Sequence, residues 1–204
     1  MRTVTTNYVT IPGTEIEIET AFLPDSESDI LVNRTETGVM FVGWLVDDPD
    51  CSFGNPFDDD EGSSFSDFTW LYGQRGRLYR DEHLRVMRNE HGAERVFLVD
   101  KYEHGGVAYS LAATVGHPDA QWDVASSCCV LVVPDDVTDP RAYAVGMLDT
   151  YTSWCNGDVY GIVSCTVTPD GTVSERSECW GFIGHEHAEE SLKWEIGLLT
   201  HEAA

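Results

Sequence analysis

Apolar residues along this chain fall mostly into short alternating runs, with helical spacing in only a few places. Residues 5–23 alternate apolar and polar through Ile16, Ile18 and Ala21, which predicts an edge or half-buried strand. Pro24 to Ser28 reads as a loop. Gly38 to Val46 is the first strongly apolar strand, interrupted by Asp47, Asp48 and Pro49. Trp70 to Arg80 is a turn-rich connection, and Asp81 to Glu90 predicts a short helix with its arginines facing water, stopped by Gly92. Val96 to Val99 and Val107 to Leu111 predict a hairpin with its turn near Gly105 and Gly106. Ser126 to Val133 is apolar on both faces and so reads as a central strand. Side chains alternate along a strand, so the adjacent Cys128 and Cys129 are expected on opposite faces.

The clearest local signals lie between Asp139 and Gly184. Thr138 or Asp139 can cap a helix with Pro140 at its first position, where a missing N–H costs nothing. Ala144, Leu148, Tyr151 and Cys155 follow at helical spacing, and Gly157 offers a left-handed exit. Val159 to Thr168 and Thr172 to Phe182 flank Pro169-Asp-Gly171, a turn in which proline presets φ and glycine accepts φ > 0. Alternation in the second strand places Cys179 and Gly181 on one face and Trp180 with Phe182 on the other. Trp180 and Phe182 are therefore expected under a helix, with Gly181 admitting a close approach opposite. A final helix, about His187 to His201, would carry Ala188, Leu192, Ile196 and Leu199 along one face. The fold class expected is α+β: a mostly antiparallel β-sheet with two or three helices packed on one face. At 204 residues the chain is read as a single domain, 1–204, with an acidic loop at 48–68 and a helix–hairpin–helix C-terminal part at 139–201.

Charge changes the picture. Twelve basic against 36 acidic residues leave −24, while residues 75–101 alone hold seven bases and five acids. Such a field disfavours direct nucleic-acid binding and favours basic surfaces. Solubility or adaptation to high salt would also account for it, and two lysines against ten arginines suit a salt-adapted or GC-rich source. The loop 48–68 concentrates the charge in Asp58, Asp59, Asp60 and Glu61, flanked by Phe53, Phe57, Phe65 and Phe68. A solvated loop rarely needs four aromatic rings, so either the rings anchor the loop on the domain or the acidic run, with Phe57 and Phe65, is the candidate binding face. No apolar run approaches the roughly 20 residues of a membrane helix. The opening Met1-Arg-Thr-Val-Thr-Thr lacks an apolar signal core, so a cytoplasmic protein with reduced thiols is expected.

Chemistry-bearing motifs are few. There is no phosphate-cradling glycine loop, no paired Cys-x-x-Cys and no His-Glu-x-x-His helix. His185-Glu-His187 sits at a helix start, where the spacing does not converge on one ion, so no metal or other cofactor is expected. His104, beside Glu103 at a glycine turn, is a candidate general base, although neighbours on a hairpin point apart. Asp123 after Trp122 and Cys179 before Trp180 complete the candidate catalytic set, with Cys179 a thiol partner for His104 if their strands lie together.

Thr37-Gly-Val-Met-Phe-Val, Leu98-Val-Asp-Lys-Tyr-Glu-His-Gly-Gly-Val, Gln121-Trp-Asp, Tyr151-x-x-Trp-Cys-Asn-Gly-Asp-Val-Tyr-Gly and Glu178-Cys-Trp-Gly-Phe-Ile-Gly occur in that order over residues 37–184. Together they resemble a family of uncharacterised proteins from bacteriophages and mobile elements. Its motifs are Tyr-Asp-His-Ser-Gly, Cys-x-Trp-Asp-Ser-Gly-Gln-Val-Gly, Gly-Asp-Val-Tyr-Gly-Tyr and Asp-Ser-Cys-Trp-Gly-Phe-Tyr-Gly. Here Ala120 stands where that pattern has its first cysteine, and Glu178 replaces the serine before Cys179. The resemblance implies a phage origin and a shared fold, with an infected host cell as the setting.

Charge and resemblance together lead to the expectation of an acidic phage accessory protein. Its partner would be a basic host or defence protein, such as a nucleic-acid-binding enzyme, engaged as a nucleic-acid charge mimic. The alternative is a small-ligand binder or hydrolase-like enzyme using His104, Cys179 and Asp123. In that case Glu103 should join them in one pocket, walled by Trp122 and Trp180.

Overall fold

The computed structural model describes residues 7–48, 68–70, 77–114, 116 and 120–199. The candidate binding residues Phe57, Asp58, Asp59, Asp60, Glu61 and Phe65 lie outside the described residues, as does Cys51. The architecture is α+β with antiparallel strand pairing throughout. Contacts divide the chain into two compact units, residues 1–53 with 157–204, and residues 54–156. The segment expected as a helix–hairpin–helix is split between them, its first helix in the second unit and its hairpin in the first.

In the first unit, β1 (Asn7–Thr10) and β2 (Glu17–Thr20) form a two-stranded ribbon, so the alternating stretch near the N-terminus is a hairpin. Strands β3 (Leu31–Arg34) and β4 (Met40–Asp47) join β9 (Val159–Val167) and β10 (Val173–Ile183) in a sheet of order β10-β9-β4-β3. The ribbon covers one face, burying Val9, Ile11 and Ile18 against Val42, Trp44 and Val163. Helix α4 (His185–Glu195) covers the other, with Leu192 and Ile196 against Ile162, Leu45 and Phe182. It ends earlier than the apolar spacing suggests, because Gly197 at φ +74° turns the chain away. The β9–β10 turn is the expected one, with Gly171 at φ +85° and its N–H on the Thr168 carbonyl at 2.9 Å.

Trp180 is not under a helix. Strand β10 is bulged between Trp180 and Phe182, with Gly181 at φ +90°, and the extra residue breaks the two-residue alternation. Phe182 alone joins the α4 side. Trp180 turns to the ribbon side, edge-on to Phe22 with ring centroids 4.8 Å apart. The glycine that admits a close approach is Gly161 on β9, not Gly181: a Cβ there would lie 2.3 Å from the Trp180 ring.

The second unit orders β5 (Phe68–Trp70), β6 (Val96–Glu103), β7 (Val107–Leu111) and β8 (Val124–Val132) as β5-β8-β6-β7, so β8 is interior as its apolar run predicts. Helix α1 (Arg77–His91), longer than the sequence suggests, packs Leu84 and Met87 on Val96, Val130 and Val132. Helix α3 (Pro140–Cys155) packs Ala144, Leu148 and Tyr151 on the opposite face, against Val99, Leu111, Cys129 and Leu131. Helices thus cover both faces of this sheet, a consequence of the two-sided apolarity of β8. Asp139 caps α3, accepting the Ala142 N–H at 3.0 Å. A short helix, α2 (Ala120–Asp123), leads into β8.

Strand β8 also departs from simple alternation. Val99 pairs with Cys129 and Lys101 with Ala125, so two steps on β6 match four on β8. The bulge takes up residues 126–128, with Ser127 at φ +51°. Cys128 and Cys129 therefore both pack toward the α3 core instead of facing opposite sides.

Candidate functional site

Two groupings of polar side chains stand out, one in each unit. In the second unit, Glu103 ends β6 and the His104 N–H donates to the Gly106 carbonyl at 3.0 Å, closing a turn with Gly105 at φ +72°. Tyr102 pairs with Val124 at the start of β8, a register that sets the end of α2 beside this turn. Asp123 then meets His104, with Nδ1 and Oδ2 2.9 Å apart. Asp123 is mostly covered while two-thirds of the histidine is exposed. When Nδ1–H donates to the carboxylate, Nε2 keeps its lone pair, the tautomer a general base needs.

Glu103 does not join the pair. It takes a hydrogen bond from the Lys101 ammonium at 2.6 Å, as its opposite strand parity requires. Glu103 and Asp123 nevertheless border one open concavity of about 290 Å³ with Lys101 and Trp122, and Trp122 is 80% exposed. At the turn's other end, Asn156 accepts the Val107 N–H at 2.9 Å and donates to the carbonyls of Val107 and Thr152. The asparagine of the Cys-Asn-Gly-Asp motif is thus a brace between α3 and β7. Cys179 is exposed on β10 and belongs, with Trp180, to the first unit. Of the candidate catalytic set, the structure brings His104 and Asp123 together.

The first unit holds a cavity of about 220 Å³ that the sequence does not single out. Asp29 reaches it from the 3-10 turn before β3, Asp25 from the residues just ahead of that turn, and Asp47 from the end of β4. Tyr160 enters from β9, where it is the register partner of Asp47. His185 and Glu189, four residues apart on α4, close it, and Leu31, Leu45 and Leu192 give it an apolar floor. Among the described residues no arginine or lysine lines it. Lys193 bonds Glu189 at 2.7 Å along the helix, and this contact holds the Glu189 carboxyl below its usual range. Burial, a hydrogen bond from its phenol to Asp158, and the charges of Asp47 and Asp25 push Tyr160 up to about 12. The carboxylates of Asp25, Asp29, Asp47 and Glu189 line the cavity over three leucines, so it disfavours an anion and suits a cation with an aliphatic stem.

His185 and His187 diverge, His185 standing edge-on to Tyr160 at 5.3 Å and His187 beside Phe182. Among the described residues no group of three or more His, Cys, Asp or Glu could hold a metal ion. No described helix is long and apolar enough to cross a membrane. The cavity residues come from four separate segments. Sequence offered only partial signals for them: Tyr160 within Gly-Asp-Val-Tyr-Gly, and His185 in a His-x-His pair.

Compared with protein-family models, curated proteins and solved structures, the chain matches none. The resemblance to the phage and mobile-element family therefore rests on its motifs alone.

Proposed function

We propose that this chain is an acidic binding protein that engages a basic protein and receives a cationic side chain in the cavity of the first unit. The observation that carries this reading is the lining itself: Asp25, Asp29, Asp47 and Glu189 around Tyr160, over a leucine floor. An arginine or lysine side chain would lay its stem on the leucines and its charge among the carboxylates. The net charge of −24 would speed encounter with a basic partner, an effect that falls steeply with salt. A phage accessory role against a basic host or defence protein fits this chemistry, with the acidic surface standing in for a nucleic acid.

The test is titration with a short arginine-rich peptide and a neutral peptide of equal length, followed by NMR at Tyr160 and His185. Arginine peptide is expected to move both resonances, and Asp25→Asn with Asp47→Asn to weaken binding about tenfold or more, since each charge-assisted bond is worth about 1.5–3 kcal/mol. Binding that ignores both substitutions would overturn the proposal.

A second reading is favoured by the His104–Asp123 contact beside an exposed Trp122. It makes the second unit a small-ligand or hydrolase-like site, with His104 as base and Trp122 as a flat wall. A ligand whose binding quenches Trp122 and fails with His104→Ala would favour this reading over the first.

A further inference from the structure

The bulge in β8 does more than interrupt a strand. Sγ of Cys128 and Sγ of Cys129 lie 3.8 Å apart, within S–H···S hydrogen-bond range. Adjacent strand residues ordinarily point to opposite faces, so this proximity has to be built. The carboxylate of Asp100 builds it. One oxygen accepts the Ser127 N–H at 2.6 Å and the other the Ala113 N–H at 3.1 Å. Ser127 is thereby held at φ +51°, and Ala113 is likewise left-handed at φ +60°. Positive φ at two residues that are not glycine, tied to one carboxylate, is a conformation the surroundings must enforce.

Cys129 is wholly buried, whereas Cys128 is half-buried and within reach of small solutes. Both sulfurs border the α3 core beside Tyr109, Tyr151 and Cys155.

We propose that Cys128 and Cys129 form a vicinal dithiol modification site, at which a hydroperoxide closes the two sulfurs into a disulfide. The inference is independent of the acidic cavity. In the first step the Cys128 thiolate attacks one peroxide oxygen; the O–O bond breaks, giving Cys128–SOH and a hydroxide or alkoxide leaving group. In the second step Cys129 attacks the Cys128 sulfur, the S–OH bond breaks, and water leaves with the Cys129 proton. The two thiols lose two electrons and the peroxide gains them. The hydrogen bond that Cys128 shares with the Cys129 thiol is the largest influence lowering the Cys128 pKa, which favours Cys128 as the attacking thiolate. Burial pushes Cys129 the other way, as befits a resolving thiol that stays protonated until it reacts.

The experiment treats the folded chain with limiting hydrogen peroxide, blocks remaining thiols with N-ethylmaleimide in denaturant, and maps peptides by mass spectrometry. The expected product is a peptide carrying both cysteines, two hydrogens lighter and unblocked, that dithiothreitol returns to the blockable form. Cys129→Ser should instead accumulate Cys128 sulfenic and sulfinic acid. A second readout needs no oxidant: phenylarsine oxide, which requires two thiols in reach, should protect both cysteines from the maleimide. Asp100→Asn offers one acceptor where two N–H groups need it, and should weaken that protection several-fold. A Cys128–Cys155 linkage, or oxidation confined to Cys128 in the unsubstituted chain, would overturn the proposal. So would loss of the arsenical's protection while the fold is intact.

Discussion

Replacing Gly161 with alanine tests the most unexpected packing in the first unit. The added methyl would sit 2.3 and 2.4 Å from two Trp180 ring carbons, against a preferred carbon–carbon separation of about 3.5–4.0 Å. One of the two must give way. Gly161 lies on interior strand β9, paired with Val46 on one side and Trp180 on the other, so its backbone is held. Trp180 is on edge strand β10 and can retreat, abandoning its edge-on contact with Phe22. Overpacking of this kind costs about 1–3 kcal/mol, and the lost aromatic pair about 0.5–1.5 kcal/mol of that. Trp180→Ala alone should cost about 2 kcal/mol, below the roughly 3–5 kcal/mol of a fully buried large aromatic, because this ring is only half-covered. In the double variant the ring is gone and the methyl has room. Its cost should not exceed that of Trp180→Ala, a coupling of at least about 1 kcal/mol. Urea unfolding followed by circular dichroism gives the midpoints, read at unchanged slope. If the two single costs add to within about 0.5 kcal/mol, the ring does not occupy the space above Gly161 and the argument fails.

Three further outcomes are expected. Asp139→Ala removes the acceptor for the Ala142 N–H and should destabilise by about 0.5–2 kcal/mol, whereas Asp139→Ser should recover most of it. Trp44→Phe removes the indole donor that the Phe22 carbonyl accepts at 3.0 Å and leaves that carbonyl with the Thr20 hydroxyl at 3.1 Å; a loss of about 0.5–1.5 kcal/mol for the hydrogen bond is expected in urea. Glu189 should titrate below the ordinary glutamate range by carboxyl NMR, and Lys193→Ala should raise it. A depressed folded pKa means its contribution is complete above the unfolded value of about 4.3 and is lost as pH falls through the folded one.

Local chemistry was legible in the sequence wherever one segment carries its own instructions. Pro169-Asp-Gly171 makes its turn because proline and glycine restrict the backbone before any partner arrives. Asp139 with Pro140 starts α3 for the same reason, and the two-sided apolarity of Val130 to Val133 required a covered, interior strand. The meeting of His104 with Asp123 was half-readable: both residues were candidates, but only the Tyr102–Val124 register placed them side by side. Tertiary structure alone decided which way side chains face beyond a bulge. A single extra residue reverses strand parity, so Gly181 sent Trp180 to the ribbon side. In β8 the bulge adds two residues, and the Asp100 carboxylate, reaching across from β6, turned Cys128 toward Cys129. The acidic cavity was invisible for a related reason. Its residues are contributed by segments more than a hundred positions apart, and no short-range pattern records that the ends of β4 and β9, the turn before β3 and the start of α4 meet at one place. Periodicity is a property of neighbours along the chain, whereas a site is a property of neighbours in space.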